Sequence, residues 1–298
     1  MAPSTPLLER ATPALFVLLW STGWITARYA VDHAEPLTFL ALRHALTAAA
    51  LAAIALALGA PWPRGWRGVA HAMACGVLLN AMYLGGVWWA IGQGIPAGIS
   101  GLVAALQPIL TAMLAPTLLG ERITPRQWLG IALGFAGIAV VLQPRLAGLD
   151  LATLGAIGLP LAVNALGMLA ATLGTFYQKR FVAGGDLRAV TALQCVGAAL
   201  FLFPLALMLE TMRIEWNMQV ILTMAWVVLG MSIGAVGLLL LLIREGAVSK
   251  AAALIYLMPP LVALQAAVLF GERLSVVQLI GMAITATGVA LVVKKVEA

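Results

Sequence analysis

The chain has 298 residues, of which 63% are hydrophobic and only 9% charged. A soluble domain carries about a quarter charged residues, so this composition excludes a water-facing globular fold and makes lipid the solvent for most of the surface. Two cysteines exclude a disulfide scaffold, and the net charge of +6 is spread over loops rather than gathered in a patch, which excludes a nucleic-acid surface.

Ten apolar segments follow one another, at roughly 13–31, 37–59, 68–91, 96–119, 127–143, 151–178, 188–209, 218–243, 247–270 and 275–293. A spanning helix needs about 20 apolar residues, so the segments predict an all-α membrane protein of ten helices joined by short loops. Charge and turn residues mark most boundaries, as at Asp32 to Pro36, Pro61 to Gly65 and Gly184 to Asp186. The break at Gly92 to Pro96 carries no charge and rests on Gly and Pro alone. The first segment is long and lacks a small-x-small cleavage site, which makes it a permanent helix rather than a leader. Twelve Lys and Arg residues fall on the side of the termini and loops 2–3, 4–5, 6–7 and 8–9, against four on the other. Basic residues concentrate in cytoplasmic loops, so both termini are expected in the cytoplasm of a bacterial cell with an inner membrane.

The two halves resemble each other at an offset of 151 residues. Gly120-Glu121-Arg122 falls on Gly271-Glu272-Arg273, Leu106 on Leu257, Pro108 on Pro259, Gln127 on Gln278, Gly130 on Gly281 and Gly137 on Gly288. Weaker matches are Gly23 with Gly174, Arg28 with Lys179 and Gly86 with Gly237. The predicted units are a five-helix repeat over 1–143 and a second over 151–293. An odd helix number inverts the second unit relative to the first, a plan common among secondary transporters.

At these residues the chain resembles the drug/metabolite transporter superfamily, and within it the EamA-type ten-helix exporters. The run from Leu106-Gln107-Pro108 through Gly120-Glu121-Arg122 to Gln127-Trp128-Leu129-Gly130 carries the likeness, with Arg43 following Glu35-Pro36. The resemblance implies a central cavity lined by helices 1, 3, 4, 6, 8 and 9, and export of amino acids or other small metabolites. The aromatic-rich first helix is similar to the branch that exports amino acids, aromatic ones included. Efflux of drugs or other metabolites, and a channel, are the alternatives.

All eleven acidic residues fall in loops or at helix ends. A charge at mid-membrane is costly and usually marks ion coupling, so a carboxylate-coupled antiporter is not expected, and the cavity is expected to be uncharged. Arg43, with His44 beside it, is the exception. It is expected either to anchor at the interface, paired with Asp32 or Glu35, or to gate the outer mouth. Trp20 and Trp24 are four apart on one face at mid-segment, away from the interfacial belts that claim Trp62, Trp66, Trp128, Trp216 and the Trp88-Trp89 pair. The two are candidates for the cavity wall.

Mid-segment polar groups must turn from lipid. Asn80 and Tyr83 in segment 3, Gln107 in segment 4 and Asn164 in segment 6 are therefore candidates for substrate contact or for interhelical bonds, and Gln194 and Gln265 follow the same logic. Pro108 and Pro259-Pro260 interrupt corresponding helices, with Tyr256 and Met258 flanking the second break, and matched breaks point to a substrate site. The Gly-Glu-Arg motifs are expected to end helices at the headgroups rather than to bind substrate. No phosphate loop, metalloprotease, hydrolase or cysteine-cluster signature occurs. The expected partners are a small-molecule substrate and the bilayer, with no cofactor, no metal and no nucleic acid, and a monomer suffices.

Overall fold

The protein is described from a computed structural model, which defines residues 6–119, 124–146, 151–182, 184–244, 258–271 and 274–293. In chain order the helices are α1 (Pro6–Val31), α2 (Pro36–Ala57), α3 (Gly65–Gly92), α4 (Ala97–Val103), α5 (Leu106–Leu119), α6 (Pro125–Leu146), α7 (Leu151–Phe181), α8 (Leu187–Leu209), α9 (218–244), α10 (Met258–Phe270) and α11 (Val276–Val293). Six of them, α1, α2, α3, α7, α8 and α9, are long and apolar enough to cross a membrane. No strand occurs among the described residues; one isolated bridge joins Ala34 to Ile214. Gly120, Glu121, Arg122, Glu272, Arg273 and Tyr256 lie outside the described residues. Gly271, which follows α10, has φ +65°, the left-handed conformation that closes a helix C-terminus.

Segment 4 forms two helices rather than one. Pro108 has no N–H, and its ring would crowd the carbonyl four residues back, at Ala104. The helix breaks there, and the freed Ala104 carbonyl accepts from the Gln107 amide at 3.1 Å. The uncharged break at Gly92 to Pro96 is a true loop, with Gly94 at φ +91°.

The matched residues of the two halves do matched local work. Thr124 and Gln127 form a capping box at the start of α6: the Thr124 amide donates to Gln127 Oε1 (2.8 Å) and the Gln127 amide to Thr124 Oγ1 (3.3 Å). Ser275 and Gln278 repeat it at the start of α11, at 2.9 and 3.2 Å. The glycines then let α6 and α11 pack backbone to backbone. A Cβ on Gly137 would lie 2.7 Å from the Gly281 carbonyl, and one on Gly288 would lie 2.6 Å from the Gly130 carbonyl. Lipid gives no hydrophobic drive to helix pairing, so close packing of small residues holds such a pair.

Gly288→Ala therefore forces the two helices apart and is expected to lower stability by roughly 1–3 kcal/mol. Gly237→Ala, on a face where a Cβ meets nothing within 4 Å, should leave it nearly unchanged. Thermal unfolding of the two purified variants, followed by loss of the monodisperse peak, checks the contrast.

Candidate substrate cavity and the families it resembles

A cavity of about 340 Å³ lies between α1, α2, α3, α7, α8 and α9, with Gln107 of α5 at its wall. It runs from Trp88 and Arg43 to Gln178 and Leu187, beside the turn at 184–186. Trp88 is 1% exposed and stacks on Phe39 with ring centroids 5.2 Å apart, sealing one end. Among the described lining residues Trp20 and Thr175 are exposed, the second on the wall nearer the turn.

Trp20, Trp24, Asn80, Tyr83, Gln107 and Arg43 all line this space. Trp20 is partly open and Trp24 is buried. Asn164 lies elsewhere: its Nδ2 donates to Ser100 Oγ at 2.7 Å, an interhelical bond between α7 and α4. Pro108 and the pair Met258 and Pro259 stand in α5 and at the start of α10, and their side chains, like Tyr256, are outside the described set. Gln265 Nε2 donates to Ser21 Oγ at 3.0 Å, joining α10 to α1.

Four expectations are corrected. Trp88 is not a belt residue, because it packs against Phe39 inside the bundle. Arg43 is neither snorkelled nor paired with the outer acids: it is 6% exposed, Asp32 bonds Arg28, and Glu35 bonds Thr211 and Arg213. With Arg43 in its wall the cavity is not uncharged. The cavity also draws on segments 2 and 7, which the resemblance did not include.

Thr175, Cys195 and Met231 were missed by the reading of single segments. At an offset of 151 residues Trp24 falls on Thr175, Arg43 on Gln194, His44 on Cys195 and Asn80 on Met231, and all eight line the cavity. The same offset also relates the two π-helical stretches, Val77–Met82 and Trp226–Gly234, which lie beside the cavity and disturb the ordinary helical ladder. Such turns occur often at functional sites.

The wall is chemically lopsided. Trp24 Nε1 and Arg43 Nε and Nη1 are buried without hydrogen-bond partners among the described residues, and His44 beside them reaches the Asn80 backbone. Each unmet buried donor costs on the order of 1–3 kcal/mol, more when charged. The counterparts from the second half, Thr175, Gln194 and Cys195, are neutral. Among the described lining residues there is no carboxylate.

The sealed end is closed by a reciprocal clasp between chain segments far apart in sequence. Glu35 does not cap its own helix α2; its carboxylate accepts from the Thr211 amide (2.9 Å) and the Arg213 amide (2.7 Å). The α2 N-terminus is served instead by Glu210, which accepts from the amides of Leu37 (2.9 Å) and Thr38 (2.7 Å) and from the Thr38 hydroxyl (2.7 Å). This is the anion site every helix N-terminus offers. Met212, between them, holds φ +60°, a strained conformation for a side-chain-bearing residue. At the opposite end Asp186 turns to its own Arg188 (2.7 Å), and the links across include a backbone bond from the Asp186 amide to the Pro61 carbonyl at 2.7 Å and a side-chain bond between His71 Nδ1 and Tyr177 Oη at 2.7 Å.

The sequence comparisons agree with this geometry. The model of the EamA-like transporter family matches residues 13–143 and again 157–294. The chain belongs to the EamA-like transporter family. It is a multi-pass membrane transporter. An uncharacterized transporter of Bacillus subtilis (strain 168) is 26% identical, over 96% of this chain and 91% of that protein. A protein named as a probable amino-acid metabolite efflux pump in Escherichia coli (strain K12) is 25% identical, over 92% of this chain and 91% of its own length. A probable terminal-alkyne amino-acid exporter of Streptantibioticus cattleyicolor is 30% identical over 43% of this chain and 42% of its own length. One crystal structure superimposes with a TM-score of 0.66, at 22% identity and 97% coverage of both chains, a likeness of fold.

The clasp has a pH signature. Burial opposes ionisation of Glu35, but the Arg213 and Thr211 amides, the Thr211 hydroxyl and the Arg213 charge outweigh it and hold the carboxyl below the usual glutamate range. Because the folded value is the lower one, the contribution is complete above the unfolded pKa and disappears as pH falls through the folded one. Hydrogen-exchange protection of the amides of Thr211 and Arg213, corrected for intrinsic rates, is expected to fall as the pH drops below the glutamate range. In Glu35→Gln it should be low at every pH.

Proposed function

We propose that the protein is an inner-membrane exporter of small amphipathic metabolites, amino acids and aromatic ones among them, working by alternating access. The observation that carries this is the mid-molecule cavity, whose lining combines the indole rings of Trp20, Trp24 and Trp88 with guanidinium, amide and hydroxyl groups. A cavity of that size suits a single metabolite, and the mixed lining offers apolar surface for a side chain and polar groups for a head. The names of relatives at about 25% identity support amino-acid metabolites as the substrate class.

The architecture behind the mechanism is proposed as ten membrane helices in two inverted repeats, 1–143 and 151–293, with both termini cytoplasmic. Two things support the duplication: the family model matches the chain twice, and contacts recur under the 151-residue offset. The contact of Gly130 with Gly288 becomes that of Gly281 with Gly137, and the capping box of Thr124 becomes that of Ser275. On this reading the open end faces the cytoplasm, where an exporter takes its substrate, and the clasped end must open for release. The excess of Lys and Arg on loops 2–3 and 6–7 supports that orientation.

The test is counterflow in proteoliposomes of the purified protein, with amino acids inside and no ion gradient. Saturable exchange of aromatic or large apolar amino acids is expected, reduced about tenfold or more by Trp24→Ala or Gln107→Ala. Non-saturable flux without counterflow marks a channel, and no flux of any amino acid, with or without a proton gradient, removes the amino-acid assignment.

A further inference from the structure

The wall of the cavity says more about the substrate than its size does. Arg43 is more than nine-tenths buried, and two of its nitrogens have no partner. Trp24, on the facing helix α1, adds an unpartnered ring N–H to the same space, and His44 lies next to Arg43. Arg43 and Trp24 thus bring N–H donors into the cavity with no acceptor among the described residues. Arginine stays protonated even when desolvated and presents a planar fork that matches a carboxylate. The nearest polar groups in its field are Tyr83 and Cys195, which supply no fixed negative charge.

The rest of the lining supplies the converse feature. Its described residues offer amides and hydroxyls, Gln107, Gln178, Gln194 and Thr175 among them, and no carboxylate to pair with an ammonium group. An ammonium there is met by neutral oxygens only. The site therefore has an ionic partner for one of the two charges of an amino acid and for that one alone.

From this asymmetry, and resting on the transport reading above, we infer that the cavity selects a carboxylate, held by Arg43 with Trp24 Nε1 and His44, and that the substrate's amino group is dispensable. The substrate class is then the amphipathic monocarboxylate. It includes amino acids, and extends to their N-acylated and 2-oxo derivatives, which carry the carboxylate without the cation. The indole walls receive the apolar side chain.

The probes are phenylalanine, N-acetylphenylalanine, phenylpyruvate and phenylalaninamide, titrated into the purified full chain with binding read from intrinsic tryptophan fluorescence and thermal stabilisation. The three acids are expected to bind, and the amide at least tenfold more weakly. Arg43→Gln should weaken the acids at least tenfold and abolish the discrimination between acid and amide, while Arg43→Lys recovers part of both. If Arg43→Gln does not fold, Trp24→Phe keeps the ring and removes only the N–H. It should weaken the acids about threefold or more and leave the amide unchanged. Equal binding of acid and amide by the unmodified protein, discrimination that survives both substitutions, or binding of none of the four overturns the inference. Counterflow separates this outcome from the transport reading. Exchange of phenylalanine without acid selectivity retains the transporter and discards the carboxylate site, whereas selective binding of acids without exchange does the reverse.

Discussion

A guanidinium buried among membrane-crossing helices, with no carboxylate among the described residues to meet it, is the constraint from which the rest of the molecule follows. An Arg at the centre of a spanning helix costs about 2.5–3.5 kcal/mol on insertion scales. That cost is tolerable only where the side chain faces a cavity or a partner. Arg43 faces a cavity, and the helices around it are arranged to make one: α2 packs along α8, α3 crosses α7 and α8, and α1 closes the side with its two tryptophans. The apolar bulk of the bundle, including Phe39, Leu40 and Trp88, seals that polar pocket from one face.

The same arrangement explains why the two ends differ. Under the proposed repeat, Glu35 and Asp186 are counterparts, and each sends a backbone bond across to the other half. Only Glu35 also sends its side chain, and only that end has Glu210, whose counterpart is Gly59. A two-fold plan thus carries an asymmetric lock. The clasped end is held by charged hydrogen bonds to helix and loop amides, the other by a backbone bond, the neutral His71–Tyr177 contact and helix packing. On the proposed mechanism the clasped end is the one that must be unlatched for release.

Much of the fold was legible in the sequence because lipid imposes a strict rule: backbone groups must be satisfied within helices. Apolar length and boundary charge therefore located most of the described helices closely, whereas segment 4 splits in two before Pro108 and α1 begins seven residues before the expected start. The repeat residues were legible too, since glycines that let backbones touch and capping residues that start helices are fixed by local chemistry. The site was only half legible. Trp20, Trp24, Asn80 and Gln107 are anomalous in a lipid-facing helix, and the anomaly marked them. Arg43 was read as an interfacial anchor because distance along a helix does not tell which way a long side chain turns. Asn164 has the same sequence signature as Asn80, yet Ser100 stands opposite it, and nothing local encodes that partner. The reciprocal use of Glu35 and Glu210 was equally hidden, since each serves amides some 175 residues away.

On the proposed mechanism the two halves rock about Arg43 and its cavity, exchanging a closed end for an open one. Pulsed electron paramagnetic resonance tests it most directly, with one spin-label pair at Gln93 and Arg213 across the clasped end and another at Arg67 and Arg180 across the open end. The account predicts two populations whose distances change in opposite senses, the first pair lengthening as the second shortens, with substrate shifting the balance. One unchanging distribution at both ends, or both pairs lengthening together as in an opening pore, would contradict it.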